Sequence, residues 1–315
     1  MLIQSLRPEE VIGMSIITLT IIFASVCNLN VYFNDLPESG NLLLNVVRIV
    51  ASALFVFLLF RALVHPPANG YFQIFRDFVP FLFILVIYFN IQDTILLIHP
   101  QDIHQNLVDL DELLFGVQPT VWIEQFFHPR LTDWFSLSYL YYYVITLILL
   151  GLLYLNKEFE NFRVVMVTMM VCYYIGFVAY MIFPAASPYL VIPEHYSVDI
   201  WKDTSFISWA VYSIVDMAPP RARDAFPSLH NAIMFLTMIL AWRYHRQFFW
   251  YSLPLAVSLP LATVYLRYHF VVDIIAALPV VLLALYLTPL LEEKWTELRS
   301  TVPAHNDLST SEAKH

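Results

Sequence analysis

Charged side chains are scarce in this chain. They make up 13% of its 315 residues, whereas 59% of the residues are hydrophobic and 16% are aromatic. A soluble domain usually carries about 25% charged residues. The shortage therefore excludes an ordinary soluble domain and, with a mean hydropathy of +0.66, indicates an integral membrane protein.

Cysteines and basic tracts are also few. The two cysteines, Cys27 and Cys172, lie far apart in apolar runs, so we expect neither a disulfide framework nor a thiolate metal site. The formal net charge is -9 and no basic tract occurs, so we expect no nucleic-acid partner. The first apolar run lacks a small-residue cleavage site, and we interpret it as a retained span rather than a signal peptide.

Long apolar runs are what the chain has in abundance. A helix needs about 20 apolar residues to cross the hydrocarbon core of a bilayer. Eight runs reach or approach that length, and they predict an all-α, polytopic helical bundle. The predicted spans cover residues 11–33, 42–64, 78–98, 134–155, 163–183, 226–243, 249–267 and 270–290.

The runs divide the chain into three regions. We expect two additional N-terminal spans in 1–66, a membrane core in 67–290 and a disordered cytoplasmic tail in 291–315. Within the core, residues 104–130 alternate acids with large apolar side chains, which predicts an amphipathic segment lying in the membrane interface. In the long loop that follows the fifth span, the stretch DTSFISWAVYSIVD predicts a short surface helix.

Two short stretches place ionisable residues at the ends of apolar runs. In YLRYHFVVD, His269 and Asp273 are four residues apart and so share one face of a helix. A carboxylate at that spacing can hold a proton on one imidazole nitrogen and leave the other as a base or nucleophile. In AFPSLH, His230 lies one turn into a helix behind Ser228, and the amides of such a helix start can bind an anion.

Three arginines, Arg221, Arg223 and Arg267, lie near these stretches, and their guanidinium forks match phosphate oxygens. Together these residues predict phosphoryl transfer through a phosphohistidine, with no cofactor and no metal. Each signal also has a structural alternative. The HxxxD pair alone could be a hydrogen bond that only holds a helix, PSLH could be a helix start with a proline and a serine cap, and the two upstream arginines could be interfacial anchors.

The stretches FPSLH and YLRYHFVVD resemble the second and third signature motifs of the type 2 phosphatidic acid phosphatase superfamily, and the resemblance covers residues 160–285. That superfamily includes lipid phosphatases, vanadium haloperoxidases and fungal inositol phosphorylceramide synthase, and this chain is most similar to the synthase-like branch. The resemblance implies that His269 is the nucleophile and that Asp273 orients it. It further implies that His230 protonates the leaving oxygen and that Ser228 binds phosphate.

The chain departs from the superfamily in its cations. The usual first motif, a lysine followed six residues later by arginine-proline, is missing, and FPAASP at 183–188 resembles this branch's substitute for it. The third motif usually has an arginine six residues before its histidine, where this chain has Thr263. We expect Arg267, and then Arg223 or Arg221, to supply the positive charge instead.

The resemblance implies a membrane enzyme whose last six spans form the superfamily core. Its substrate would be a phospholipid or lipid phosphate reached from the outer leaflet. A small hydroxyl compound as acceptor would make it a phosphotransferase, which the branch favours, and water would make it a phosphatase. A transporter is the alternative of another class. It is disfavoured because the ionisable groups cluster at one membrane face rather than at mid-bilayer depth.

The distribution of lysine and arginine predicts the orientation. With eight spans, the side that holds both termini has ten of these residues and the other side has five, with Arg48 inside a span. By the positive-inside rule the termini are cytoplasmic and both histidine stretches face the extracytoplasmic side. The ten are Arg7, Arg61, Arg76, Lys157, Arg163, Arg243, Arg246, Lys294, Arg299 and Lys314, and the five are Arg130, Lys202, Arg221, Arg223 and Arg267.

The remaining polar residues suggest structural roles. The run SYLYYY at 138–143 is interpreted as an interfacial aromatic belt. Asn90, Gln92 and Asp93 predict hydrogen bonds between helices rather than substrate contacts. The loop histidines share no spacing that would indicate a metal site, and His245 lies outside the proposed chemistry. These loop histidines are His99, His104, His128 and His195.

Overall fold

Helices account for nearly all regular structure in the computed structural model, which describes residues 6–33, 42–65, 70–99, 101–216 and 222–301. No β-strand occurs in these ranges, so the predicted all-α fold is confirmed. Two 3-10 turns, Ile123–Phe126 and Pro193–His195, join shorter elements. The helices are α1 (Pro8–Phe33), α2 (Leu42–Val64), α3 (Gly70–Ile98), α4 (His104–Phe115), α5 (Pro119–Trp122), α6 (Pro129–Leu155), α7 (Phe159–Ile182), α8 (Pro188–Val191), α9 (Phe206–Asp216), α10 (Leu229–Tyr244), α11 (Arg246–Tyr265) and α12 (Val271–Thr301).

Seven helices in the described part of the chain are long and apolar enough to cross a membrane, namely α1, α2, α3, α6, α7, α11 and α12. The sixth predicted span corresponds to α10, which has only 16 residues. At 1.5 Å per residue it is about 24 Å long. It nevertheless packs against α6, α7, α11 and α12, and the single residue His245 separates it from α11.

The sides of α10 are enclosed by its neighbours, and its apolar side chains are buried on several faces. Ala232, Met234, Leu236 and Ala241 all belong to the main core cluster. A helix that is apolar all round suits such a central position. The outer helices show the opposite pattern, because large apolar side chains point away from the bundle, as Phe57 does with 60% of its surface exposed. Such outward faces suit contact with lipid rather than water.

Charged residues join several helices at one end of the bundle. Arg76 of α3 donates to Glu10 of α1 at 2.5 and 2.8 Å. Arg163 near the start of α7 donates to Glu9 at 3.2 Å and to Glu292 of α12 at 3.3 Å. The first helix is therefore attached to the core at the end opposite the start of α12, where the two histidine stretches lie.

Short helices cover that other end. Leu107 and Val108 of α4 are buried in a second small cluster with Ala185, Ala225 and Phe270. On its other face α4 exposes large apolar side chains such as Leu113. That residues 104–130 form an amphipathic segment in the membrane interface stays a prediction. The surface helix predicted in the long loop is confirmed as α9.

Candidate active site

His269 and Asp273 form the hydrogen-bonded pair that their spacing predicts. Nδ1 of His269 lies 3.2 Å from Oδ2 of Asp273, and both residues are buried. The same Oδ2 accepts the backbone N–H of Phe270 at 2.8 Å, which holds the carboxylate at the first turn of α12. An ionised carboxylate only accepts hydrogen bonds, so with Asp273 ionised His269 carries its proton on Nδ1 and keeps a lone pair on Nε2.

His230 faces the free nitrogen of His269. Its Nδ1 lies 2.9 Å from Nε2 of His269, although the two residues are 39 positions apart in the chain. The ring planes meet at 61° with centroids 5.1 Å apart. The structure therefore brings the two histidine stretches together as the sequence predicts, in the order carboxylate, first imidazole, second imidazole.

Ser228 is the N-cap of α10 and links the two stretches through the backbone. Its Oγ accepts the backbone N–H of Asn231 at 3.3 Å and the Asn231 side-chain N–H at 3.0 Å. Its own backbone N–H donates to the carbonyl of Asp273 at 3.0 Å. In both bonds to Asn231 the hydroxyl oxygen accepts, which leaves the hydroxyl proton to donate to a further acceptor.

Thr263 occupies the place where an arginine was expected from the resemblance, and it has a structural role. Its hydroxyl oxygen accepts from the side chain of Asn231 at 3.1 Å. Its carbonyl accepts the backbone N–H groups of Tyr268 and His269 at 2.9 and 3.1 Å. The residue is completely buried and uncharged, so it holds the turn that presents His269 and cannot neutralise a phosphate.

Arg267, expected to meet the phosphate, forms an ion pair in the loop layer. Its Nη2 donates to Oε1 of Glu124 at 2.5 Å and to the carbonyl of Val198 at 2.7 Å, and its guanidinium stacks 4.0 Å above the ring of Tyr196. Burial lowers the pKa of Arg267, and the carboxylate of Glu124 opposes that shift. Burial also raises the pKa of Tyr196 to about 12. Arg267 thus fastens two loops, and its role toward phosphate stays a prediction.

The upstream arginines do not add a described contact to the histidine pair. Nε of Arg223 donates to Oδ1 of Asp102 at 2.6 Å, just before α4. Arg221 lies outside the described residues. The FPAASP segment contributes backbone rather than charge, because the carbonyls of Pro184 and Ala185 accept from the loops at 101–103 and 222–225.

The tyrosine run on α6 lies against the second histidine. The hydroxyl of Tyr139 is 3.0 Å from Nε2 of His230, and the ring of Tyr142 packs on the same imidazole with centroids 4.7 Å apart. Tyr139 is only 4% exposed, so its interpretation as part of an interfacial belt is wrong. The helical spacing of Tyr139, Tyr142 and Tyr143 was the available signal, since residues three and four apart share a face.

Asp111 on α4 is a second residue that sequence reasoning passed over. Its carboxylate accepts the backbone N–H groups of Val271 at 2.9 Å and Val272 at 3.0 Å, which are the first residues of α12. Burial raises the pKa of Asp111, while the two N–H donors oppose that shift. The signal in the sequence was that Asp111 shares a helical face with Leu107 and Val108.

Other polar residues have more distant positions. Asn90 of α3 donates to the hydroxyl of Ser52 on α2 at 2.9 Å, which confirms the predicted bond between helices. The side chains of Gln92 and Asp93 lie outside the described residues. Within the described ranges, no three His, Cys, Asp or Glu side chains converge into a group that could hold a metal ion.

Comparison with known proteins identifies the family to which this sequence is similar. Residues 105–287 match the model of the PAP2 superfamily, and this range contains both histidine stretches. Over 117 residues the chain is 33% identical to a PA-phosphatase related-family protein of Dictyostelium discoideum, an alignment that covers 36% of this chain and 21% of that relative. The chain therefore aligns with about a fifth of the relative's length. No solved structure matches the chain.

Proposed function

We propose that this chain, which belongs to the PAP2 superfamily, is a membrane enzyme that transfers a phosphoryl or phospho-head-group from a lipid donor to a hydroxyl acceptor through a phosphohistidine. The family supports action on a lipid phosphate as phosphatase or phosphotransferase. The observation that carries the proposal is the 2.9 Å contact between Nδ1 of His230 and Nε2 of His269, with Asp273 behind the second ring.

In the first step His269 attacks phosphorus. Asp273 holds the proton on Nδ1, so the Nε2 lone pair is free to form the N–P bond. Phosphorus must enter between the two histidines. The 2.9 Å contact between their nitrogens therefore belongs to the resting site and is broken when phosphorus enters. When the anionic donor enters, His230 takes a second proton from solvent at Nε2. As the P–O bond breaks, the Nδ1 proton passes to the leaving oxygen, which departs as the alcohol of a lipid, and His230 becomes neutral with its remaining proton on Nε2.

In the second step the phosphohistidine is consumed. His230, now with a free Nδ1, takes the proton of an acceptor hydroxyl, the acceptor oxygen forms a bond to phosphorus, and the N–P bond breaks. This reverse use of one acid as a base follows from microscopic reversibility. The step restores the lone pair on Nε2 of His269 and leaves His230 doubly protonated, and His230 returns its second proton to solvent as the product leaves.

The phosphate oxygens need donors during both steps. We assign this role to the hydroxyl proton of Ser228 and to the first amides of α10, since a helix start favours an anion. Arg267, Arg223 and Arg221 remain the candidate cations. Donors that are already in position stabilise the charge that develops on the phosphoryl oxygens most effectively, because no reorganisation is then needed in the transition state.

The scarcity of motif cations supports transfer from a phosphodiester. A phosphate monoester carries close to two negative charges near neutral pH, whereas a diester carries one. The chain has neither the lysine and arginine of the usual first motif nor the arginine of the third, where Thr263 stands. A site with fewer cations suits the donor with less charge, which is why we place an inositol phosphorylceramide synthase-like transfer before hydrolysis of a lipid phosphate. Hydrolysis, with water as the acceptor, is the alternative.

We also propose that the site faces the extracytoplasmic side and needs no metal or cofactor. The histidine pair lies at the end of the bundle opposite the ionic cluster of Arg163, Glu9 and Glu292, and that cluster is on the side where the lysine and arginine count places the cytoplasm. A transporter function would place ionisable groups along a path through the bundle. Apart from Arg48 on α2, the charged residues of the described spans lie instead toward the helix ends.

One experiment tests the function directly. Purified protein in lipid nanodiscs is given either phosphatidic acid or a phosphodiester glycerophospholipid, each with and without an alcohol acceptor such as inositol or ceramide. A phosphorylated form of the acceptor that appears only when the acceptor is present, a phospholipid from ceramide or a soluble inositol phosphate from inositol, supports transfer. Inorganic phosphate released from phosphatidic acid supports hydrolysis. His269→Ala should abolish either product, and the exposed-loop variant His195→Ala should not. A wild-type protein that acts on neither donor would overturn the proposal.

A further inference from the structure

The second nitrogen of His230 has a hydroxyl partner inside the bundle. Nε2 of His230 lies 3.0 Å from Oη of Tyr139, and the two rings overlap with centroids 5.0 Å apart and planes tilted by 30°. The hydroxyl of Tyr143 donates in turn to Oη of Tyr139 at 3.4 Å. A hydrogen-bonded chain therefore extends from Tyr143 through Tyr139 and His230 to His269.

The direction of this chain follows from its far end. Because Asp273 keeps the His269 proton on Nδ1, Nε2 of His269 must accept, and Nδ1 of His230 must donate to it. A neutral His230 then has a lone pair on Nε2, which accepts the proton of Tyr139. The oxygen of Tyr139 is free to accept from Tyr143, so every member of the chain is satisfied.

We infer that Tyr139 is a positioning residue for His230, which it holds with the transferable proton on the nitrogen that faces the phosphoryl group. This inference rests on the proposed function. A hydroxyl can both donate and accept, so Tyr139 donates to Nε2 of neutral, resting His230 and accepts from Nε2–H once His230 is doubly protonated. It still accepts from Nε2–H after the Nδ1 proton has left. Tyr139 therefore supports the acid before proton transfer and the base after it, while His230 stays anchored as phosphorus enters between the two imidazoles.

The neighbouring tyrosines show that the hydroxyl, and not only the ring, is specific to this position. Tyr142 also packs its ring on His230, but its hydroxyl pairs with Tyr173 at 3.2 Å. The hydroxyl of Tyr141 pairs with Ser252 on α11 at 2.6 Å. Among the hydrogen bonds of the described residues, the one from this run to the imidazole of His230 is made by the hydroxyl of Tyr139.

The test uses leaving groups that differ in their need for an acid. Two phosphoesters with the same transferred group are compared, one with an alkyl alcohol and one with 4-nitrophenol as the leaving group. Tyr139→Phe keeps the ring and removes the hydroxyl. General acids contribute about 100-fold to 10,000-fold. We expect loss of the positioning hydroxyl to reduce the rate of phosphohistidine formation from the alkyl ester, measured in a single turnover, by about 10-fold to 100-fold. The loss on the nitrophenyl ester should be several-fold smaller, because nitrophenolate leaves without a proton.

Controls separate this inference from the proposed function and from a folding defect. Tyr141→Phe removes a hydroxyl two residues away and should leave both rates unchanged. His230→Ala should show the same dependence on leaving group more strongly, and Tyr143→Phe should show it more weakly. Retained binding of the alkyl ester, measured as an unchanged KM, and an unchanged elution volume establish that Tyr139→Phe is folded.

Three outcomes are decisive. If the alkyl ester suffers the larger loss in Tyr139→Phe and the pH profile of kcat shifts, the inference holds. If both esters lose rate equally with an unchanged pH profile, Tyr139 only supports packing and the inference is overturned. If the wild type acts on neither ester, or if His269→Ala keeps the wild-type rate, the proposed function itself fails.

Discussion

The carboxylate of Asp111 accepts the backbone N–H of Val271 at 2.9 Å, so a peripheral helix caps the helix that carries half of the candidate site. The first amides of a helix have no partner within it and need an external acceptor. Here the acceptor comes from 160 residues earlier in the chain. Two positions after Val271, Asp273 holds His269, so α4 determines where that pair lies.

Asp111→Ala should therefore affect both stability and rate. It leaves two N–H donors of α12 without their acceptor, and an unsatisfied buried group costs about 1–3 kcal/mol. We expect a lower thermal denaturation midpoint and a reduced kcat as Asp273 shifts. Asp109→Ala, which removes an exposed carboxylate bonded only to Gln105 among the described contacts, is the matched control. Equal denaturation midpoints and equal kcat values for the two variants would show that the cap is unimportant.

The same residue predicts a pH dependence. Burial raises the pKa of Asp111 above its ordinary value of 3.8, so the folded protein binds this proton more tightly than the unfolded chain. Stability then falls as pH rises from 3.8 through the folded-state pKa. Asp111→Asn lacks this titration. The denaturation midpoint of the wild type minus that of Asp111→Asn should therefore decrease as pH rises from 3.8 through the folded-state pKa. An increase in this difference would contradict the raised pKa.

Asp273→Asn should reduce the rate by orders of magnitude while the protein stays folded. Oδ2 of Asp273 accepts from both Phe270 and His269, and in the variant an amide nitrogen can take that position and turn an N–H toward Nδ1 of His269. The imidazole proton is then driven to Nε2, where it blocks the attack. The same tautomer error costs about 10,000-fold in a serine protease. Radiolabelled donor followed by base-stable, acid-labile labelling of the protein measures the phosphohistidine, and normal labelling in this variant would remove Asp273 from its assigned role.

The extracytoplasmic orientation can be checked by labelling. In a background without Cys27 and Cys172, Glu194→Cys places a thiol in the exposed loop near the site end, and Glu160→Cys places one at the opposite end. A membrane-impermeant maleimide should label the first in intact cells and the second only after permeabilisation. The reverse pattern would place the histidine pair on the cytoplasmic side.

Catalysis should survive chelation. The proposed nucleophile is oriented by a carboxylate and the leaving group is protonated by an imidazole, so no step calls for a divalent ion. We expect full activity in excess EDTA and inhibition by vanadate, which forms a five-coordinate mimic of phosphorus. Activity that disappears with EDTA and returns with magnesium would require a different mechanism.

Arg267 could fasten the loops or bind the phosphate, and a substitution of Glu124 distinguishes the two roles. If the arginine acts by fastening the loops, Glu124→Gln and Arg267→Lys should reduce the rate to a similar extent, since each weakens the same ion pair and Lys lacks the planar fork. This is the result we expect. If Glu124→Gln keeps or increases the rate while Arg267→Ala is inactive, the guanidinium serves the phosphate directly. Gln125→Ala, next to Glu124 and outside the pair, controls for local disturbance.

Composition and local spacing in the amino-acid sequence are enough to predict the class of fold and the pair of His269 with Asp273. Long apolar runs have no stable arrangement in lipid other than helices, so the all-α bundle follows from composition and length. The His269 and Asp273 pair follows from a spacing of one helical turn, which is a local rule. The length of α10 was overestimated because the helix starts after the cap at Ser228, two residues into the predicted span that begins at 226.

Only the tertiary structure decided which distant groups meet. The contact of His230 with Tyr139 joins residues 91 apart in the chain, the cap of α12 by Asp111 joins residues 160 apart, and Arg267 finds Glu124 at a separation of 143. Such pairs depend on how helices and loops pack. The positions of two residues in a single sequence do not show whether they lie close together in the folded protein. The chemistry of the two histidines is therefore local in origin, whereas their proton directions and their support are set by packing.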